Sequence, residues 1–205
     1  MKRCNWILAL GLLMTVSAAQ AGRDEIFFTG TDFAGWEGLL GPEGYWSVND
    51  KSIIGVAPNG LKFNTFLCSK KKYKDFELQF QVKLSKGGNS GVQIRSHIHE
   101  QKKFGVTGPQ CDIGDGYWGS LYGENFGGMM KAAPADLVKK VLKDGDWNDY
   151  YIKAVDKKIT IKLNGETTVD GTFEKAPDTG IIALQLHAGG PMEVSFKNIQ
   201  FKELK

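Results

Sequence analysis

The stretch Gly87–Tyr122, GGNSGVQIRSHIHEQKKFGVTGPQCDIGDGYWGSLY, decides how the chain is read. Val92, Ile94, Ser96 and Ile98 alternate with Gln93, Arg95, His97 and His99, and Cys111 and Ile113 alternate with Gln110, Asp112 and Gly114. A period of two is that of a strand, whose successive side chains point to opposite faces. Two strands are expected, each with an apolar face and a face of Gln, Arg, His and Asp. A sheet with one solvated face gives the same alternation. Such a face is usually rich in Lys, Glu and Thr, and Phe76–Ser85, with Glu77, Gln79, Gln81 and Lys83 outward, is closer to it. The polar set beside Tyr117-Trp118 is closer to a ligand surface. Two of the three histidines lie here, and the third, His187, ends a similar segment in which Gln185 and His187 share a face with Ala183.

Outside this stretch, short apolar runs separated by turn signals predict an all-β sandwich or barrel. Tyr45–Asn49 and Ser52–Val56 flank Asn49-Asp50-Lys51, a hairpin signal. Phe76, Leu78, Phe80, Val82 and Leu84 mark the clearest core strand. Tyr150–Val155 and Ile159–Leu163 follow, and Asn164-Gly165 supplies two residues that tolerate positive φ, as a tight hairpin requires. The last strands are Ile181–His187 and Glu193–Phe201, with an irregularity expected near Asn198. One helix is predicted after Pro134, with Leu137, Val138, Val141 and Leu142 as its apolar stripe and Gly145 as its stop, covering one edge of the sandwich. Gly87-Gly88-Asn89-Ser90-Gly91 lacks the lysine and following helix of a phosphate loop and reads as a turn into a strand.

The chain has 205 residues. Lys2 and Arg3, the apolar run Trp6–Val16 and Ala19-Gln20-Ala21 form a charged, an apolar and a cleavage region. Residues 1–21 therefore read as a signal peptide and residues 22–205 as one domain, exported to the periplasm or the medium. The apolar run is shorter than the roughly 20 residues a membrane-spanning helix needs, so no membrane span is expected. Losing Lys2 and Arg3 lowers the formal charge from +3 to +1. The basic residues are scattered rather than patched, so no nucleic-acid partner is expected. Cys68 and Cys111 remain after processing. An exported chain can oxidise them; a bridge would close a loop of about 43 residues, worth on the order of 4 kcal/mol in the chain-entropy model. Two buried thiols are the alternative. The bridge is the preferred reading, although Cys111 falls on the apolar side of its strand.

The chain resembles the 3-keto-disaccharide hydrolase domain family. The matching pieces are Phe28-Thr29-Gly30 with Asp32 and Gly35-Trp36; Tyr73 with Asp75-Phe76-Glu77-Leu78; Asn89-Ser90-Gly91-Val92 with Arg95; and Gln110-Cys111-Asp112-Ile113-Gly114. Gly116-Tyr117-Trp118-Gly119 with Leu121-Tyr122, Trp147-Asn148 with Tyr151, Asn164-Gly165, Gly180-Ile181 through Leu184-Gln185-Leu186-His187, Gly189-Gly190-Pro191 and Phe196-Lys197-Asn198-Ile199 complete the match. The resemblance implies a concanavalin A-like jelly-roll β-sandwich of two antiparallel sheets, exported and acting on oxidised glycosides. The chain departs from the family pattern at Gln110, where many relatives carry a carboxylate, and at Glu124-Asn125-Phe126-Gly127-Gly128, where they carry a basic cluster. Both departures bear on the substrate.

The implied reaction defines the expected roles. A carbonyl at C3 of a sugar acidifies the hydrogen at C2; a base removes it, the enediolate expels the C1 substituent, and water adds to the glycal. The route needs a base that titrates near neutrality and a donor or cation at the oxyanion. His187 is expected as base or metal ligand, with a surface histidine as the ordinary alternative. Arg95 would stabilise the enediolate or clamp two hydroxyls; a salt bridge with Asp112 is its ordinary alternative and is compatible with either role. Asp112 would orient His187, bind a metal or act as a second acid or base. Gln93, Gln110, Gln185 and Glu124 would contact the substrate, and Tyr117 and Trp118 would stack on the sugar or serve as core aromatics. Trp147 reads as structural. A divalent metal ion also suits the oxyanion role, and the His97-x-His99 pair could supply two ligands, though H-x-H is common without a metal. The expected partner is a saccharide or glycoside. A lectin-like module without turnover is the first competing reading, because the same sandwich serves both purposes. A glycosidase with paired carboxylates about 5 to 9 Å apart and an envelope-interaction protein rank lower.

Overall fold

The structure is a computed structural model, and it describes residues 27–38, 44–99 and 105–204. The expected signal segment 1–21, with Cys4, lies outside the described residues.

The described chain is an all-β sandwich of two seven-stranded antiparallel sheets with one short helix. In chain order the strands are β1 (Trp36–Gly38), β2 (Trp46–Asn49), β3 (Ser52–Ala57), β4 (Thr65–Ser69), β5 (Phe76–Leu84), β6 (Asn89–His99), β7 (Gly105–Gly114), β8 (Leu121–Glu124) and β9 (Gly128–Lys131). After α1 (Ala135–Val141) come β10 (Asn148–Val155), β11 (Lys158–Leu163), β12 (Glu166–Thr172), β13 (Ile181–Leu186) and β14 (Met192–Glu203). One sheet runs β1-β4-β13-β6-β7-β8-β9 and the other β12-β11-β10-β5-β14-β3-β2.

The alternation in the sequence sets what lies between the sheets. Phe76, Leu78, Phe80, Val82 and Leu84 of β5 are buried, as are Tyr150, Ile152 and Ala154 of β10 and Ile159, Ile161 and Leu163 of β11. They form one core with Val92, Ile94, Cys111, Ile113, Leu184 and Leu186 of the facing sheet. Burying each large aliphatic or aromatic side chain contributes about 1.5–3 kcal/mol. The hairpins follow their turn residues: Asp50 and Lys51 take φ of 45° and 57° between β2 and β3, and Asn164 and Gly165 take 49° and 88° between β11 and β12. The expected irregularity in the last strand is a register shift between Lys197 and Gln200 of β14, with Asn198 at φ 53°. The helix ends at a Leu142 cap, short of the expected Gly145, and packs Val138, Val141 and Leu142 half-buried on the core beside β12.

The expected disulfide is absent, for a geometric reason. Cys68, Ala183, Gln93 and Gln110 are successive cross-strand partners. Directly opposed residues share a face, so Cys68 lies on the outer face with Gln110. Cys111, the next residue along, points into the core. Both thiols are free and buried.

Candidate functional site

The outer face of the first sheet carries the polar residues that the alternation singled out. The pairing sets Gln110 opposite Gln93 and Asp112 opposite Gly91, with Tyr122 of β8 on the other flank of Gln110. Gly91 leaves the space above itself open: a Cβ there would lie 2.6 Å from Gln110 Cγ and Cδ. The Gln110 side chain fills that space. Its Nε2 donates to Asp112 Oδ1 at 2.8 Å and to Gln185 Oε1 at 3.4 Å, and its Oε1 accepts from Gln93 Nε2 at 2.7 Å. Ser96 Oγ donates to Gln93 Oε1 at 2.8 Å. Gln93 and Gln185 are fully buried, so they hold Gln110 rather than present themselves to a ligand. Among the described residues, Gln185 Nε2 has no hydrogen-bond partner.

Above this network lies a cleft of about 400 Å³ lined by Asn64, Asn89, Gln110, Asp112, Tyr117, Tyr122, Glu124 and His187. Asp112 is 5% exposed. Burial pushes its carboxyl up to about 7; the Gln110 bond opposes the shift and the nearby Glu124 charge adds to it. His187 Nδ1 lies 2.6 Å from the Ala188 carbonyl oxygen. A carbonyl can only accept, so Nδ1 carries the proton and Nε2 is the basic atom of the neutral ring. Asn64 ties the two rims together: its Oδ1 accepts from Ala188 N at 2.8 Å, and its Nδ2 donates to Glu124 Oε1 at 3.4 Å.

Gln110, Asp112, Tyr117, Glu124 and His187 thus come together as the sequence suggested. Besides the buried Gln93 and Gln185, four placements differ from expectation. The Arg95 guanidinium is 1% exposed and points away from the cleft: it donates from Nη2 to Asp75 Oδ1 at 2.8 Å, from Nε to the Lys74 carbonyl and from Nη1 to the Asp156 carbonyl. Its partner is Asp75, not Asp112. The cause is a bulge in β6: the register shifts between Gln93 and His97, and Arg95 takes φ 45°. The bulge also carries His97 and His99 to the face opposite Gln93, and neither lines the cleft. Trp118 is 5% exposed and belongs to the core, whereas Tyr117 is 47% exposed at the cleft rim. Asp112 does not orient His187, whose Nδ1 is held by Ala188.

Sequence reasoning did not single out Asn64, Asn89 and Tyr122 as cleft residues. Asn89 and Tyr122 stood within matched motifs; Asn64 precedes β4 in an irregular segment with no periodic signal. Among the described residues, no group of three His, Cys, Asp or Glu side chains is placed to hold a metal ion. The described residues do not fit a resident metal ion. Among the described residues no helix is long and apolar enough to cross a membrane.

The profile of the 3-keto-alpha-glucoside-1,2-lyase-like domain matches residues 24–202. Among solved structures, a proposed glycosyl hydrolase from Parabacteroides distasonis is 25% identical, with 87% of this chain and 92% of that one covered, at a TM-score of 0.65. A carbohydrate-binding module from Bacillus subtilis (15% identical, 83% and 96% covered, TM-score 0.58) and a legume lectin-like domain from Entamoeba histolytica (19% identical, 83% and 91% covered, TM-score 0.55) share the sandwich fold. No protein of curated function matches the sequence.

Proposed function

The chain belongs to the 3-keto-alpha-glucoside-1,2-lyase-like domain family, and from that membership we propose that it cleaves 3-keto glycosides by proton removal at C2 and elimination at C1. The family gives it a carbohydrate-related function; the particular reaction is our reading. One observation carries it: a carboxyl group that keeps its proton up to about pH 7 shares a cleft with a histidine whose basic nitrogen is Nε2.

The two groups divide the work. His187 Nε2 takes the C2 proton, and the electron pair moves to the C3 oxygen as the enediolate forms. The Asn64 and Asn89 carboxamides line the same cleft and can donate to that oxygen. The enediolate collapses, the C1–O bond breaks, and protonated Asp112 delivers its proton to the leaving oxygen. Water adds by the reverse transfers: ionised Asp112 takes its proton, hydroxide joins C1, and protonated His187 returns a proton to C2. The exposed Tyr117 ring offers a face for the sugar to stack on. The leader-like residues 1–21 support placing the reaction outside the cytoplasm.

The test uses a 3-keto disaccharide and its unoxidised parent with the purified protein, products read by mass spectrometry. Cleavage of the keto form alone is expected. Cleavage of the parent would point to an ordinary glycosidase. Saturable binding without cleavage of either would replace this proposal with a lectin-like function.

A further inference from the structure

The outer face of the second sheet carries a polar hollow that this reaction does not use. Strand pairing aligns Lys162 of β11, Tyr151 of β10, Gln79 of β5 and Gln200 of β14 in one row, with Asp149 and Gln81 in the next. With Asn198 they wall a cavity of about 500 Å³. A smaller hollow of about 210 Å³ shares Gln79, Tyr151 and Gln200 with it, so the two are continuous.

The floor differs from an ordinary solvated sheet face. One row away the strands carry charged cross-strand pairs, such as Lys153 Nζ with Glu77 Oε1 at 2.8 Å. In the hollow, carboxamides hold one another and the Asp149 carboxylate instead. Asn198 Nδ2 donates to Gln81 Oε1 at 2.8 Å, Gln81 Nε2 donates to Asp149 Oδ1 at 2.9 Å, and Gln79 Nε2 donates to Gln200 Oε1. Each bond fixes a side-chain direction while using only part of a carboxamide's two donors and two lone pairs. The β14 bulge creates part of this arrangement, since Asn198 reaches Gln81 from φ 53°; bulges re-aim side chains beside sites. The half-buried Tyr151 ring in the row lines both hollows and completes the surface.

Oriented amides that still have hydrogen-bonding capacity, set beside the Tyr151 ring, suit the hydroxyl pairs and C–H faces of pyranoses. We propose that this hollow is a second, non-catalytic binding site for an unoxidised oligosaccharide chain lying across β11, β10, β5 and β14. The inference rests on the carbohydrate-related function of the family but not on the reaction proposed for the other face. The row crosses three strand spacings, roughly 14 Å, which is longer than one sugar, so affinity rises with chain length.

The experiment titrates the isotopically labelled full chain with cellobiose, cellohexaose and maltohexaose and follows backbone and side-chain amide resonances. Saturable shifts at Gln79, Gln81, Asn198 and Gln200 are expected with one of the hexasaccharides, bound about tenfold tighter than the disaccharide. Gln81→Ala and Tyr151→Ala should weaken that binding about tenfold while cleavage of the 3-keto disaccharide is unchanged. The exposed Gln79→Ala serves as a second variant, with the amide spectrum as control for folding. No saturable shift with either hexasaccharide, shifts confined to the Asn64 and His187 cleft, or variants that bind like the parent would overturn the proposal. Keto-disaccharide cleavage is read separately, so failure of the reaction leaves this test intact.

Discussion

At the scale of single residues, Asp112 has the sharpest consequences. As the acid it must be protonated, so the rate falls as pH rises through about 7. Asp112→Asn should lower turnover of an alkyl 3-keto glycoside by roughly 10²- to 10⁴-fold and remove that alkaline limb. A nitrophenyl 3-keto glycoside, whose leaving group needs no acid, should recover much of the rate. His187→Ala should lose both substrates, because proton removal at C2 is common to them. Comparable losses on both substrates for Asp112→Asn would reverse the assignment of acid and base. The same shift has a stability side. The folded carboxyl binds its proton more tightly than the unfolded one, so the native state loses stability as pH rises from about 4 to about 7. Below that window the carboxyl adds no penalty, and above it the penalty is complete. Asp112→Asn should therefore gain stability over the parent above pH 7 in urea denaturation, by an amount of order 4 kcal/mol at most. Arg95 tests the opposite case. Its guanidinium joins Asp75 and two carbonyls, so Arg95→Ala strands all three partners and should cost about 3–5 kcal/mol. The fraction that stays folded at low temperature should cleave substrate at the parental rate. A specific loss of turnover would return Arg95 to the chemistry.

At the scale of elements, strand periodicity carried most of what was legible. β5, β10 and β11 needed only their apolar alternation and turn residues, and the face of β7 with Gln110 and Asp112 followed from the same period. β6 was legible only as far as Gln93. A bulge adds one residue and inverts every face beyond it, and no local signal in Ile94-Arg95-Ser96 announces it. The bulge depends on long-range packing: a Cβ on Gly180, in the segment entering β13, would lie 2.3 Å from the Arg95 carbonyl carbon. Apolar alternation marks none of β1, β4, β8, β9 and β12, and only the Asn164-Gly165 turn points to the last of them. Three of them, β1, β8 and β9, are short, and β12 opens with Glu166, Thr167 and Thr168 rather than an apolar alternation. The pairing of β6 with β7 also makes a prediction at Gly91. Gly91→Ala pushes a methyl group into the Gln110 side chain, breaking the bond that lowers the Asp112 carboxyl. Its titration should move to higher pH, and the alkaline limb of the pH–rate profile should move with it. A profile unchanged from the parent would mean that Gln110 does not tune Asp112.

At the scale of the whole molecule, the sandwich separates two outer faces by one continuous core, and cysteine chemistry reports which side of a sheet a residue occupies. The sequence allowed a bridge between Cys68 and Cys111 because chain separation says nothing about facing, whereas cross-strand register settles it. Cys68 stands in the same row as Gln110, and Cys111 is the next residue of that strand, turned inward. Joining them would need one thiol to pass through its own sheet, which disrupts the strand pairing that holds the core. Burial pushes both thiols well above their usual range, so neither presents a reactive thiolate at neutral pH. Native protein should therefore leave Cys68 and Cys111 unlabelled by an alkylating reagent, while protein unfolded in guanidinium without reductant should label both, as read by peptide mass spectrometry. The thermal midpoint should be the same with and without reductant. A Cys68–Cys111 peptide pair recovered from air-oxidised, folded protein, together with a midpoint that drops on reduction, would require a different pairing of β4, β13, β6 and β7. It would also displace Gln110 and Asp112, so this one measurement tests the frame on which the catalytic cleft is built.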